Sequence, residues 1–275
     1  MTNLLAIAYL ISHSLLALIG RNRIRNAPYI LTINTLLIIF FLIVWSMGPR
    51  SVRLWAPVLF FWWAYLWSRQ TLYAIHPAGF TLDSALIRFE AKYFGQPSLD
   101  WARQGGKALT ELLNFLYFTY YLYTPVLGIY LYLRQRFGDF EKMTFAILLG
   151  YAIAYTMFSL IPVWGPRWAL VDRGLLHPQE QVPRGYLFTG LINWIMYGGV
   201  ALKGGAMPSA HSSTAMVFLV WCWWIWGAYG GIPASIVVTG MWLGSIYGRY
   251  HYLLDLLVGA FIGIISLGVA SALLG

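Results

Sequence analysis

Runs of about 20 apolar residues recur along most of this chain, and they leave it little choice of solvent. A run of that length crosses the ~30 Å hydrocarbon core of a bilayer as a helix. Inside lipid each spanning segment has to satisfy its own backbone N–H and C=O groups. The chain has 275 residues, 60% of them hydrophobic and only 10% charged, whereas a soluble domain carries about a quarter charged. The surplus apolar surface needs lipid around it. The expected fold class is all-α, a polytopic membrane helical bundle.

Eight stretches read as spans: residues 2–19, 28–47, 54–75, 110–133, 143–163, 211–227, 232–248 and 252–274. The first two, within residues 1–50, stand ahead of a six-helix core within 51–275. The first lacks a basic leader and a small-residue cleavage site, and reads as a retained helix. Two regions do not span. Residues 77–108 mix acidic and basic groups; Leu82, Leu86, Phe89 and Tyr93 recur at helical spacing, with Asp83, Arg88 and Lys92 polar between them. That pattern is one of interfacial helices, or else of a solvated loop. Residues 164–206 are the second such region. Their apolar piece, Tyr186 to Val200, is too short to cross and reads as a surface or re-entrant helix capping what lies beneath.

The net charge of +9 does not point to nucleic acid, because the basic residues lie between apolar segments without forming a continuous surface. Anionic headgroups and a phosphate substrate account for them. Cys222 is the one cysteine, so no internal disulfide or cysteine metal site is possible, and its apolar neighbours suit an inert buried thiol.

Alternation of spans brings four helix ends to one face: the end of the fifth, the start of the sixth, the end of the seventh and the start of the eighth. Arg167, His211, Arg249 and His251 therefore share a surface. His251 and Asp255 are four residues apart, which on a helix is one face. The carboxylate would fix the imidazole tautomer and raise its basicity for attack, or the pair is a structural hydrogen bond. His211 follows Pro208-Ser209-Ala210 at the head of the sixth span. There the helix N-terminus and the Ser209 hydroxyl would hold an anion, with Gly204 and Gly205 allowing close approach. His211 would then protonate a departing oxygen, or it is an interfacial polar residue behind a serine N-cap. Arg167, Arg249 and Lys203 are each snorkelling charges or phosphate ligands. Grouped with two histidines they favour phosphoryl transfer.

Three blocks in this order, Pro162-Val163-Trp164-Gly165-Pro166-Arg167, Gly205 to His211 and Arg249 to Asp255, resemble the type 2 phosphatidic acid phosphatase superfamily, in particular its inositol phosphorylceramide synthase-like branch. The upstream pattern Asp83…Gly95-Gln96-Pro97-Ser98…Tyr117…Tyr120-Tyr121 is also similar to that branch. The resemblance covers roughly residues 80 to 265. It implies His251 as nucleophile supported by Asp255, His211 as the acid for the leaving group, and Arg167, Ser209 and Arg249 as phosphate ligands. It implies no metal and no cofactor. Three departures are visible. Ala210 stands where glycine is commoner, Ser245 where an arginine is commoner with Arg249 in its stead, and Leu160 where a lysine is usual, with Lys203 able to supply that charge.

The resulting expectation is a membrane-embedded lipid phosphatase acting on a lipid phosphate or diphosphate through a phosphohistidine. The alternative is a phosphotransferase with a hydroxyl acceptor. A rival of another class is an anionic-lipid transporter using the charged pocket to bind without cleaving. The catalytic face carries more lysine and arginine than the other, which by the positive-inside rule would be cytoplasmic. The resemblance implies the extracytoplasmic face, and the expectation follows it, with the plasma membrane as location.

Overall fold

The computed structural model of the chain describes residues 1–195 and 202–275. Among them no β-strand forms, and the helices run α1 (Thr2–Ile19), α2 (Ala27–Met47), α3 (Arg50–Trp67), α4 (Asp83–Phe94), α5 (Pro97–Gln104), α6 (Lys107–Phe118) and α7 (Tyr120–Leu133), followed by α8 (Phe137–Leu160), α9 (Pro166–Asp172), α10 (Leu187–Ile195), α11 (Ala210–Trp226), α12 (Ala228–Tyr247) and α13 (Leu253–Leu274). The fold is the all-α, polytopic bundle that the apolar runs require.

Every expected span is helical, and among the described residues α1, α2, α8, α12 and α13 are long and apolar enough to cross a membrane by length and composition. Of the other three, two depart from the expected bounds for local reasons, and the third keeps its bounds to within a residue. α3 stops at Trp67, short of residue 75, because Ser68–Thr71 tighten into a 3-10 turn. The span at 110–133 is divided at Thr119, whose hydroxyl donates back to the Leu116 carbonyl at 2.5 Å. α11 has 17 residues and is ended by Gly227 at φ 56°.

α8 is the hub, packed by α1, α3, α7, α11 and α13. α11 and α13 approach closely because of Gly259, where a Cβ would stand 2.2 Å from the Ser209 carbonyl oxygen. Small residues are what allow such crossings in lipid. At the N-terminus a buried amide ties three helices together. Asn34 on α2 donates to Ser14 Oγ on α1 at 2.9 Å and faces His13 Nδ1 at 3.1 Å, while its Oδ1 accepts from Trp67 Nε1 on α3 at 2.8 Å.

The interfacial region is helical, as α4 and α5, but it presents a different face from the one expected. Phe89 and Tyr93 are exposed, and the buried stripe is Asp83, Leu86 and Glu90. Asp83 is therefore an interior group rather than a solvated one. Of the expected capping helix Tyr186 to Val200, α10 covers Leu187–Ile195, and 196–200 lie outside the described residues.

Candidate active site

Backbone hydrogen bonds lace the three sequence blocks to one another in pairs. The Val163 N–H donates to the Gly204 carbonyl at 3.2 Å and the Ala206 N–H to the Val163 carbonyl at 3.0 Å. The Arg167 N–H donates to the Arg249 carbonyl at 2.9 Å, and the Ser209 N–H to the Asp255 carbonyl at 3.0 Å. Gly165 sits at φ 89°, with the Tyr250 carbonyl oxygen 3.0 Å from where its Cβ would be. Only glycine combines that dihedral with that approach.

The two histidines meet inside this lacing. His251 Nε2 lies 3.4 Å from His211 Nδ1 and 3.3 Å from Ser209 Oγ. His251 Nδ1 stands 3.5 Å from Asp255 Oδ2, and both residues are buried, at 5% and 0% exposure. The route to this pairing differs from the expected one. His251 is not on a helix face with Asp255, because α13 begins at Leu253 with Tyr252 as its N-cap. Asp255 is the third residue of α13 and accepts the Tyr252 N–H at 2.9 Å. The carboxylate thus closes the helix start and faces the histidine at once. Pro208 lies just before α11, and Ser209 is the N-cap, accepting the Ser212 N–H at 3.2 Å. The Ser213 N–H is used by the Ser209 carbonyl, leaving the amides of Ala210 and His211 as the open first-turn donors among the described residues.

Aromatic rings hold His211. Its Nε2 is 3.3 Å from the Tyr117 hydroxyl, and Tyr120 and Tyr121 pack against its ring. All three come from the bend where α6 gives way to α7, so the break at Thr119 serves this contact. Tyr117 stacks in turn on Tyr250, whose hydroxyl donates to Asn114 Oδ1 at 2.7 Å.

The cations divide. Arg167 is buried, with Cζ 4.4 Å from the Tyr250 ring centre and Nη2 donating to the Gly248 carbonyl at 3.1 Å. Arg249, in left-handed backbone at φ 58°, donates to the carbonyls of Ser98, Leu99 and Glu180. Burial lowers its pKa to about 10, so it stays a cation at neutral pH. Arg167, Arg249 and Ala210 line the same cavity as the histidines. Lys203 is set apart from this group: it is exposed, and its Nζ lies 3.6 Å from the Trp164 ring centre.

Two carboxylates that sequence reasoning did not assign to the site hold its scaffold. Asp83 accepts the Trp164 and Gly165 N–H groups at 2.7 and 2.9 Å and the Tyr252 hydroxyl at 2.8 Å. Glu90 accepts the Leu253 N–H at 3.0 Å and the Ser98 hydroxyl. Burial pushes the Glu90 carboxyl above its ordinary range. Their seven-residue spacing, with Leu86 between, was the available signal, since it puts them on one helix face.

A cavity of about 530 Å³ opens beneath the histidines. α10 roofs the site: Arg167 Nη1 donates to Asn193 Oδ1 at 3.4 Å and Ile195 reaches the cavity wall. α10 is fastened at its start by Glu111 of α6, which accepts the Tyr186 N–H at 2.7 Å and the Thr189 hydroxyl at 2.9 Å.

The family model described as the PAP2 superfamily matches residues 84–269. The chain belongs to the PAP2 superfamily. The match spans α4 to α13, so the laced blocks of this PAP2 protein all fall inside it, and α1 to α3 precede it. The phosphoinositol dihydroceramide synthase of Bacteroides thetaiotaomicron is a distant relative, 23% identical over 183 residues, which are 61% of this chain and 55% of that protein. The chain thus spans little more than half of that relative. No solved structure matches it.

Proposed function

We propose that this PAP2 protein is a lipid phosphatase that cleaves a lipid phosphate or diphosphate through a phosphohistidine on His251, without a metal or cofactor. The observation that carries the reading is the pair of imidazoles, His251 Nε2 and His211 Nδ1 3.4 Å apart, with Asp255 behind the first. His251 Nε2 attacks phosphorus, and the P–O bond to the lipid breaks. The departing oxygen keeps the electron pair and takes a proton from His211. A water, deprotonated by His211, then attacks the phosphohistidine, and the P–N bond electrons return to His251. Arg167, Arg249, Ser209 and the Ala210 amide are assigned to the phosphoryl oxygens, and Lys203, held over Trp164, to an outer position on the approach. The rings must part to admit the phosphoryl group between them, and His211 is the one to move, since beyond His251 itself it is held by aromatic contacts and the Tyr117 hydroxyl.

The name of the relative favours a second reading, in which a hydroxyl acceptor under α10 replaces water and the product is a transferred phospho-headgroup. We place the protein in the plasma membrane with the site on the extracytoplasmic face. The test uses purified protein with radiolabelled lipid phosphates, with and without inositol or other hydroxyl acceptors. Released inorganic phosphate means hydrolysis, and a labelled acceptor means transfer. His251→Ala is expected to lose both, and a His251→Ala protein as active as the natural one would overturn the proposal.

A further inference from the structure

The cavity under the histidines continues far beyond them. It runs between α3, α7 and α8, touching α8 at Phe158 near the catalytic end and at Phe140 in its first turn. Phe158 is eighteen positions beyond Phe140 on this helix, about 27 Å of depth, against a hydrocarbon core of ~30 Å. A volume of about 530 Å³ drawn out over that length is an elongated slot, open along α3 where Leu59 and Trp62 are exposed. Its walls turn apolar with depth. Near the head, the Tyr120 and Tyr151 hydroxyls share one hydrogen bond at 2.7 Å, and both rings line the cavity. Deeper, the wall is Leu59 and Trp55 of α3, Gly128 of α7, and Met143 and Phe140 of α8.

We infer that this slot takes one long hydrocarbon tail of the lipid phosphate and limits its length, with Gly128 at the stop. The inference rests on the reading of the head as a phosphate site. Three observations select a tail as occupant. The slot is continuous with the histidines, no charged residue among the described ones lines it below them, and its depth exceeds what a tail confined to one leaflet spans. Gly128 is the position where length is set. A Cβ there would meet Phe140 at 3.6 Å and Met143 at 3.7 Å, ordinary contact distances, so alanine fits. A longer side chain has only the slot to grow into. Gly128 is within α7, where leucine is a better helix former than glycine, so the substitution blocks the slot without weakening the helix.

The test compares single-chain alkyl phosphates, from short to long, with a tailless aryl phosphate. Gly128→Leu is expected to lower kcat/KM for the longest tail by about tenfold or more, the scale on which pockets discriminate hydrocarbon size. Short-tailed and tailless phosphates should be cleaved as by the natural protein, and Gly128→Ala should behave like the natural protein throughout. An unchanged long-to-short ratio in Gly128→Leu would overturn the inference, as would an equal loss on all substrates. A second readout does not depend on turnover: an alkyl phosphate with a photoreactive group at its tail end. Labelling of α7 and the first half of α8, reduced in Gly128→Leu, supports the slot, and labelling confined to other helices rejects it. Should the natural protein cleave none of these phosphates yet label at α7 and α8, the catalytic reading fails and the tail site stands.

Discussion

His251 Nε2 has two ring and hydroxyl neighbours, and one arrangement of protons serves the whole row. Nδ1 faces the Asp255 carboxylate, an acceptor, so the proton of His251 belongs on Nδ1 and the lone pair on Nε2. His211 then presents Nδ1–H to that lone pair and leaves its own Nε2 to accept from the Tyr117 hydroxyl, 3.3 Å away. On the proposed reading, the attacking nitrogen is thereby prepared before substrate arrives, and a bound phosphate's negative charge would favour the imidazolium form of His211. The two histidines should consequently fail differently. His211→Ala is expected to cost roughly 10²–10⁴-fold in kcat on alkyl phosphates, whose leaving oxygen needs a proton. Aryl phosphates with acidic leaving groups should be cleaved far less impaired. Rates for a leaving-group series measure this, and an equal loss on both classes would show that His211 does not act as the acid.

At the scale of elements, the site depends on how closely α11 and α13 cross. Gly259 faces the Ser209 carbonyl, and Ser209 and Asp255 exchange the backbone hydrogen bond that joins the second and third blocks. Any side chain at 259 has to lever the helices apart. Gly259→Val is expected to destabilise the protein by about 1–3 kcal/mol, the usual cost of overpacking, and to lower kcat as Ser209 and His251 separate. Gly268→Ala, in the same helix with open space around its Cβ position, should do neither. Thermal unfolding in detergent together with turnover would separate the two, and equal effects at both positions would refute the argument. Which parts of this were legible in sequence follows from the range of the forces involved. Helix existence was legible because apolar length is a local property, and the meeting of His211 and His251 was legible because spans alternate sides. The inward turn of Asp83 and Glu90 was not, since their partners, the amides of Trp164, Gly165 and Leu253, are distant in the chain. Interfacial polar residues ordinarily face water. The placement of His251 ahead of α13 was missed for a smaller reason. Four-residue spacing suits a helix face, but a helix start with Asp255 third also brings the two together.

On the scale of the whole molecule, the laced blocks, the roof of α10 and the α4–α5 segment gather at one end of the bundle, and the slot runs from there toward the other. Arg184, exposed on the loop before α10, marks that end. In Arg184→Cys the introduced thiol should react with a membrane-impermeant maleimide in right-side-out vesicles and be shielded in inside-out ones. Buried Cys222 contributes no background. The reverse pattern would put the chemistry in the cytoplasm. The Asn34 amide has a consequence for the order in which the chain is made. α1 and α2 leave the ribosome before Trp67 does, so during synthesis the hairpin enters lipid with the Asn34 carbonyl lacking its indole donor. A polar group in hydrocarbon without a partner is costly. The first two helices are thus incomplete as an independent unit, and the arrival of α3 is the event that seals them to the rest of the bundle.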